Sequence, residues 1–179
     1  MEQEKKHTWH PKLNAHRAIG IDIDSTLIDG PCSRRLQEWV WDHYQELDLH
    51  LVTFRYGADF QYVAQDIGEH GLKLDMFKGL HGIDQDFAEL FWQLRLKVGD
   101  RVPESEEKRL QHLRRKWLRG LTHHKTTEEE YERLFSTVAH WKGAKCKELG
   151  LTALIDDLGE YVRPGCDVHG VEWIDALNL

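Results

Sequence analysis

Three predicted strands of this 179-residue chain end in side chains that could do chemistry. The first ends in Asp22, Asp24 and Thr26, the second in Thr53 and Arg55, and the fourth in Asp156 and Asp157. The carboxyl ends of strands in an open parallel sheet lie at one edge, so we expect these groups to converge. Lys142 stands in the first turn of the predicted helix before the fourth strand. Four carboxylates beside one lysine repel one another, and a hard divalent cation, for which Mg²⁺ is the expected ion, would relieve that repulsion.

The elements that would position these groups alternate along the chain. Short apolar segments predict five strands, and the first has the composition of a strand buried on both faces. These segments are residues 17–24, 49–54, 72–80, 152–156 and 167–174. Helical spacing predicts helices after Ser33 as a capping residue, over 58–70, and over 142–150. This alternation is typical of an α/β fold, here a Rossmann-like doubly wound parallel sheet.

Residues 81–140 depart from this alternation, because their apolar spacing predicts helices only. The first of these helices would begin near Asp84 or Asp86. We therefore predict three parts: a polar N-terminal arm (1–16), a core (17–80 and 141–179) and a helical cap insertion (81–140).

Charge is distributed unevenly between the insertion and the rest of the chain. The formal net charge is −7, yet residues 108–125 hold seven Lys or Arg and no acid. On a helix, Lys108, His112, Arg115 and Arg119 would form one basic stripe. The stripe would be an ordinary solvated face, a cap surface for an anionic substrate such as a nucleotide or a nucleic-acid end, or a docking surface for an acidic protein.

Cysteine spacing and hydropathy restrict the environment of the protein. Three widely spaced cysteines without a CxxC pair predict neither a disulfide framework nor a cysteine zinc site. No apolar run reaches the roughly 18 to 20 residues of a membrane-spanning helix. These features predict a cytoplasmic protein with no membrane partner, and they specify no oligomeric state.

The order of the chemical groups resembles that of the haloacid dehalogenase (HAD) superfamily of phosphohydrolases. The four family motifs match DIDST at 22–26, Thr53, Lys142 and the acid pair at 156–157. The resemblance covers residues 17–80 and 141–174, which would form the catalytic core. Ser25 departs from the pattern, since many members have glycine after the second aspartate.

The resemblance implies a catalytic role for four residues. Asp22 would attack phosphorus and form an aspartyl-phosphate. Asp24 would protonate the leaving oxygen and later deprotonate the attacking water. Thr53 would donate a hydrogen bond to a phosphoryl oxygen, and Lys142 would balance the negative charge.

The resemblance also implies sites for the metal and the substrate. The family pattern has Mg²⁺ bound by carboxylate side chains and one backbone carbonyl, supplied by Asp22, Asp24, Asp156 and Asp157. Substrate binding would involve Thr26, which shapes the turn after the first strand, together with Arg55 and, in the cap, Arg115 and Arg119.

Two of these assignments leave alternatives. Lys145 and Lys147 compete with Lys142, which is favoured because it lies 14 positions before Asp156, a spacing like that of compact family members. Arg55 would either bind the substrate phosphate with two parallel hydrogen bonds or pair with a surface acid.

The combined pattern predicts a Mg²⁺-dependent phosphatase that hydrolyses a phosphate monoester. The basic insertion and the motif Thr53-Phe54-Arg55 favour a nucleotide or a nucleic-acid terminal phosphate as substrate. The alternatives are a small-metabolite phosphatase, for example one acting on sugar phosphates, a phosphotransferase, or a non-catalytic binding protein on the same scaffold. The last is disfavoured because Asp22, Asp24, Lys142 and Asp156 are all present.

Overall fold

A parallel β-sheet forms the centre of the computed structural model, which describes residues 9–89 and 128–179. Its five strands are β1 (Ala18–Ile21), β2 (Asp48–Thr53), β3 (Gly79–Gly82), β4 (Ala153–Asp156) and β5 (Glu172–Asp175). All neighbouring strands pair in parallel, in the order β3-β2-β1-β4-β5. The predicted Rossmann-like α/β fold is therefore confirmed.

The strand order reverses beside β1. From β1, the chain adds β2 and β3 on one side, and β4 and β5 on the other. In open α/β sheets the crevice at such a reversal, outside the carboxyl ends of the strands, is where ligands bind. Asp22 follows the last residue of β1 and Asp156 is the last residue of β4, so both acids lie at this crevice.

Helices cover both faces of the sheet. They are α1 (Pro11–Asn14), α2 (Ser33–His43), α3 (Gly57–Gln61), α4 (Val63–Glu69), α5 (Glu128–Glu148) and α6 (Gly159–His169). The described part of the chain also contains two 3₁₀ turns, Leu74–Met76 and Ala176–Asn178.

Two apolar clusters, one on each face, hold these helices to the sheet. On one face α2 and α4 pack on β1, β2 and β4, with Trp39 of α2 and Ile67 of α4 fully buried. On the other face α5 and α6 pack on Leu154 of β4 through Cys146 and Cys166. Alternate residues of β4 thus enter different clusters, because successive side chains of a strand point to opposite faces. This explains why the central strands are apolar throughout.

Glycine residues allow helix α5 to pack closely against strand β1 and against helix α6. A Cβ atom added to Gly20 of β1 would lie 3.0 Å from the Cys146 sulfur. One added to Gly143 of α5 would lie 2.4 Å from the Gly165 carbonyl oxygen of α6. Lys142 precedes Cys146 by one helical turn and so shares its sheet-facing side. The packing of α5 therefore directs Lys142 toward the carboxyl edge of the sheet.

Three sequence predictions about individual elements are wrong. The third strand is Gly79–Gly82 and not 72–80, where Leu72 and Met76 are buried around a 3₁₀ turn. The last strand begins at Glu172, because α6 continues to His169 and ends at Gly170, which has φ of +68°. The helix that carries Lys142 begins at Glu128 and not at residue 142, so Lys142 lies well inside it.

The predicted helical cap lies largely outside the described residues, which omit 90–127. Both predicted boundaries of the insertion fall inside regular elements. The boundary between residues 80 and 81 lies within β3, and the boundary between residues 140 and 141 lies within α5. The Asp84 carboxylate accepts a hydrogen bond of 3.0 Å from the Phe87 N–H, which caps the helical residues 85–89. The described part of the predicted N-terminal arm contributes a buried side chain, Leu13, to the core.

The composition-based predictions can be compared with the described ranges. All three cysteines are free thiols, and Cys146 and Cys166 are buried. Among the helices within residues 9–89 and 128–179, none combines the length and the apolar character that crossing a membrane requires.

Candidate active site

A buried lysine joins two aspartates at the switch point of the sheet. The Lys142 ammonium lies 2.7 Å from Asp22 Oδ1 and 2.6 Å from Asp156 Oδ2. Lys142 and Asp156 have no exposed surface, and Asp22 keeps 5% of its surface exposed. By contrast, Lys145 is half-buried and contacts Glu148 at 2.7 Å, and Lys147 is exposed. Of the three candidate lysines, Lys142 is the one that reaches the acids.

Burial governs the charge state of this group. Loss of solvation raises the pKa of Asp22 to about 7; the Lys142 charge opposes that rise, and the Asp156 charge adds to it. Burial acts to lower the pKa of Lys142, but the charges of Asp22 and Asp156 outweigh burial and raise it. Lys142 therefore stays charged, while burial disfavours the ionised form of Asp22. An additional cation near Asp22 would lower that cost.

Asp156 is fixed on both carboxylate oxygens. Oδ2 bonds Lys142, and Oδ1 accepts a hydrogen bond of 2.8 Å from the Leu158 N–H at the start of α6. The indole N–H of Trp173 donates to the Asp156 backbone carbonyl at 3.1 Å. These bonds hold the end of β4 in one geometry, as a site that must align charges requires.

Asp157 is tied to the loop after β1 through Thr26. The Thr26 hydroxyl donates to Asp157 Oδ1 and accepts from the Asp157 N–H, both at 3.1 Å. Thr26 was predicted to contact substrate and to shape the turn. In this structure both the donor and an acceptor of its hydroxyl are bonded to Asp157. Thr26 joins the loop after β1 to the loop after β4.

Three carboxylates converge in a way that suits a hard divalent cation. Asp22, Asp156 and Asp157 each offer one oxygen, and these oxygens lie within 4.8 Å of one another. Three carboxylates and the Lys142 ammonium sum to −2 when all are ionised, which equals the charge that one divalent cation neutralises. All-oxygen donors are those that Mg²⁺ prefers. The fourth predicted metal residue, Asp24, would contribute its backbone carbonyl.

The Asp24 side chain takes a different direction from that of Asp22. It is 56% exposed and pairs with Arg55, whose Nε lies 2.9 Å from Oδ2 and whose Nη2 lies 2.6 Å from Oδ1. The Arg55 Nη1 contacts Asp66 of α4. Hydrogen bonds to Asp24 and Asp66 raise the pKa of Arg55 further above its ordinary value, although burial opposes them. Of the two alternatives for Arg55, this structure contains the ion pair with an acid.

The loop that carries Asp24 turns tightly after β1. Ser25 adopts φ of +57°, in the left-handed region that favours glycine. A Cβ on Gly30 would lie 2.0 Å from the Ser25 carbonyl oxygen, so the chain passes over itself there. Ser33 is the first residue of α2 and not its capping residue. Its hydroxyl accepts from the Gly30 N–H and donates to the Thr26 carbonyl, both at 2.7 Å, which closes the loop.

The end of β2 contributes a hydroxyl and an aromatic ring. Thr53 is 1% exposed, and its Oγ1 accepts a hydrogen bond of 3.2 Å from the Arg55 N–H, which leaves the hydroxyl proton for another acceptor. The Phe54 ring centroid lies 4.3 Å from the Lys142 nitrogen. The ring also neighbours Trp141 and Tyr161, each with its centroid at 6.0 Å. Phe54 thus makes a cation–π contact with the Lys142 ammonium.

Sequence reasoning missed three features of this site. Asp66 gave no signal, because it lies on a helix that only the fold brings to Arg55. Phe54 stood between two predicted site residues and was not assigned a role. The pair of Gly143 and Gly165 could have been found as two small residues on neighbouring helices, but α6 itself was not predicted.

Replacing Gly143 with alanine should disturb the position of Lys142. The added methyl group would overlap the Gly165 carbonyl, which is backbone and cannot rotate away. We expect a loss of about 1–3 kcal/mol in the free energy of unfolding, the usual cost of overpacking. Denaturant titration measures this loss.

Gly68→Ala is the matched control, because nothing lies within 4 Å of its added Cβ. This substitution in α4 should leave stability unchanged or raise it by up to about 1 kcal/mol. Equal stability of the two variants would contradict the close packing of α5 on α6.

The fold and site together define an α/β protein with a carboxylate–lysine cluster at the switch point of a parallel sheet. Of the predicted site residues, Arg115 and Arg119 lie outside the described ranges. Comparison with family models, with curated proteins and with solved structures gives no match. The geometry of the site therefore carries the functional conclusion.

Proposed function

We propose that this protein is a Mg²⁺-dependent phosphatase of the haloacid dehalogenase type, which hydrolyses a phosphate monoester through an aspartyl-phosphate. One observation carries the proposal: a fully buried ammonium bridges Asp22 and Asp156, with Asp157 close enough to share a cation with them. Burying two carboxylates beside a third at the carboxyl edge of a sheet is costly for a protein that needs only a stable fold. Perturbed, clustered ionisable groups in a cleft are typical of catalytic sites.

The residues present support a two-step displacement. In the first step a carboxylate oxygen of Asp22 forms a bond to phosphorus, and the ester P–O bond breaks. The departing oxygen takes a proton from Asp24. In the second step water forms a bond to phosphorus, the P–O bond to Asp22 breaks, and the water proton passes to Asp24. Asp22 regains its carboxylate and inorganic phosphate leaves.

Lys142 and Thr53 would act on charge and orientation. Lys142 holds one oxygen of Asp22 at 2.7 Å, which limits the rotation of the nucleophile. Its charge also offsets the negative charge brought by a phosphate group. The Thr53 hydroxyl, with its proton still available, would donate to a phosphoryl oxygen.

Asp22, Asp156 and Asp157 would hold the metal, together with the Asp24 backbone carbonyl. Bound there, Mg²⁺ would screen the charge of Asp22 from the phosphate and stabilise negative charge on the phosphoryl oxygens. The raised pKa of Asp22 is consistent with this assignment, because burial disfavours the charged carboxylate and a bound cation would offset that cost.

We infer that the leaving group would lie in the pocket that Asp157 lines. Its lining is apolar and acidic, with Leu158, Tyr161, Trp173, Leu177, Glu160 and Asp175. Carboxylates at this position would repel further negative charge on a substrate. This observation favours a leaving group free of additional phosphates, as in the small-metabolite alternative, over an oligonucleotide end or a nucleotide that carries further phosphates.

The test is release of inorganic phosphate from a panel of phosphate monoesters in the presence of Mg²⁺. The panel holds nucleoside monophosphates, oligonucleotides with 3′ or 5′ phosphates, sugar phosphates and an aryl phosphate. We expect release from at least one neutral-leaving-group ester, and faster release from it than from the oligonucleotides. A chelator should stop the reaction.

Added Ca²⁺ should restore little activity, because its looser coordination misplaces the nucleophile. Unchanged release in the presence of the chelator would contradict the metal assignment. No release from any member of the panel would contradict the phosphatase proposal. Preference for oligonucleotides would contradict the role given to the acidic pocket.

A further inference from the structure

We propose that Arg55 and Asp66 are positioning residues that hold the Asp24 carboxylate as the base for hydrolysis of the aspartyl-phosphate. The inference rests on the proposed function and adds two residues that act through Asp24. It starts from the chain of contacts Asp24–Arg55–Asp66, which joins the loop after β1 to helix α4.

Asp24 needs an external support. It lies beyond the end of β1 and directly before Ser25, whose φ is +57°, where its backbone forms one isolated bridge with Ile28 that does not hold the side chain. More than half of its side chain is exposed, and an exposed carboxylate samples several rotamers. Arg55 removes this freedom, because its Nε and Nη2 bind both carboxylate oxygens. A two-pronged bond of this kind fixes the plane of the carboxylate as well as its position.

Arg55 is held in turn by the fold. Its backbone N–H donates to Thr53 Oγ1 at 3.2 Å, and its Nη1 donates to Asp66. Its side chain is 15% exposed, compared with 31% for Asp66 and 56% for Asp24. Both supporting side chains are therefore less exposed than the Asp24 carboxylate that they hold, as positioning requires.

The arrangement suits the second step of the reaction. An arginine fork binds the carboxylate form, which is the form that accepts a proton from water. In that step the water oxygen bonds to phosphorus, its proton moves to Asp24, and the bonding electrons of the broken P–O bond return to Asp22. A misdirected Asp24 would slow this step and leave the first step of an ester with a good leaving group unaffected.

The experiment measures rapid-mixing kinetics with a nitrophenyl phosphate, whose leaving group departs without a proton. In Asp66→Asn we expect kcat to fall on the order of 10-fold, a fraction of the 10²–10⁴ that a general base contributes. The first turnover should appear as a burst of nitrophenol, and more phosphoenzyme should be trapped by acid quench than in wild type. Arg55→Lys keeps the charge and loses the fork, so it should show the same signature with a larger fall.

Asp59→Asn is the matched control, since it removes the same charge from an exposed position on α3 and should behave as wild type. A fall in kcat without a burst and without more phosphoenzyme would overturn the inference, because partial unfolding also lowers kcat. Wild-type kinetics in Asp66→Asn and Arg55→Lys would overturn it as well. No turnover by wild-type protein would instead mean that the proposed function fails.

Discussion

Replacing Asp22 with asparagine should lower phosphate release by a factor of about 10⁴ or more while the protein stays folded. An amide does not attack phosphorus, so the aspartyl-phosphate cannot form. Asparagine has nearly the same shape, and Lys142 keeps its bond of 2.6 Å to Asp156. Phosphate release and denaturant titration of the same samples separate loss of chemistry from loss of fold.

Wild-type stability should show a pH dependence that this variant lacks. Burial raises the pKa of Asp22 to about 7 from 3.8, so the folded state binds a proton more tightly than the unfolded state does. In chelator, the contribution of Asp22 to wild-type stability is thus present below pH 4 and lost as pH rises to about 7. Asp22→Asn lacks this loss, so its stability relative to wild type should increase from pH 4 to pH 8.

Asp29→Asn is the control for this prediction. It makes the same change in the same loop, at a side chain that is 77% exposed, and asparagine tolerates the φ of +58° found there. Its activity should stay within about twofold of wild type. Wild-type turnover in Asp22→Asn would show that Asp22 is not the nucleophile.

The class of the fold could be predicted because the central strands are short, apolar and separated by punctuating residues. Residues 18–23 are apolar except for Gly20 and Asp22, and both exceptions are explained by position. Gly20 admits Cys146 of α5, and Asp22 follows the strand at the crevice. A strand buried on both faces has little local ambiguity, so sequence pattern and tertiary structure agree there.

Helix α6 could not be predicted from local preference. Pro164 and Gly165 stand inside it, and both residues disfavour a helix interior. Gly165 lies where α5 crosses α6, and a larger residue would not fit there. This requirement comes from tertiary packing and cannot be read from the local sequence. The same contact between α5 and α6 positions Lys142, which is next to Gly143. Sequence spacing therefore identified Lys142 as a site residue but did not reveal α6, the helix that helps to position it.

The environment of Asp24 also depended on the fold. A strand would point Asp22 and Asp24 the same way, but β1 ends at Ile21 and the loop turns at Ser25. One acid therefore points to Lys142 and the other to Arg55. The sequence pattern predicted that both acids lie at this edge of the sheet. The turn at Ser25 determines that Asp22 contacts Lys142 and that Asp24 contacts Arg55.

The second large effect is expected from replacing Lys142 with methionine. Without the ammonium, Asp22 and Asp156 face each other with no opposite charge, and the Phe54 ring loses its cation. Removing one partner of a buried ion pair costs about 3–5 kcal/mol, because the remaining charges stay desolvated. We expect a loss of this size in the free energy of unfolding at pH 8, together with loss of turnover.

The pH dependence of this loss identifies its cause. The Lys142 charge opposes the rise in the pKa of Asp22, so without it the pKa lies higher still. Protonation at lower pH removes the repulsion between the two acids, and the deficit of Lys142→Met relative to wild type should shrink between pH 8 and pH 5. A deficit caused only by altered packing would be the same at both values.

Lys145→Met supplies the comparison on the same helix. Lys145 is half-buried and its partner Glu148 is exposed, so its loss should cost at most about 1 kcal/mol at either pH. Similar deficits for the two lysine variants at pH 8 would contradict the assignment of Lys142 as the cation of the site. A large, pH-dependent deficit for Lys142 alone would mean that the fold maintains a concentration of buried negative charge, which a catalytic or metal-binding site requires and a structural core does not.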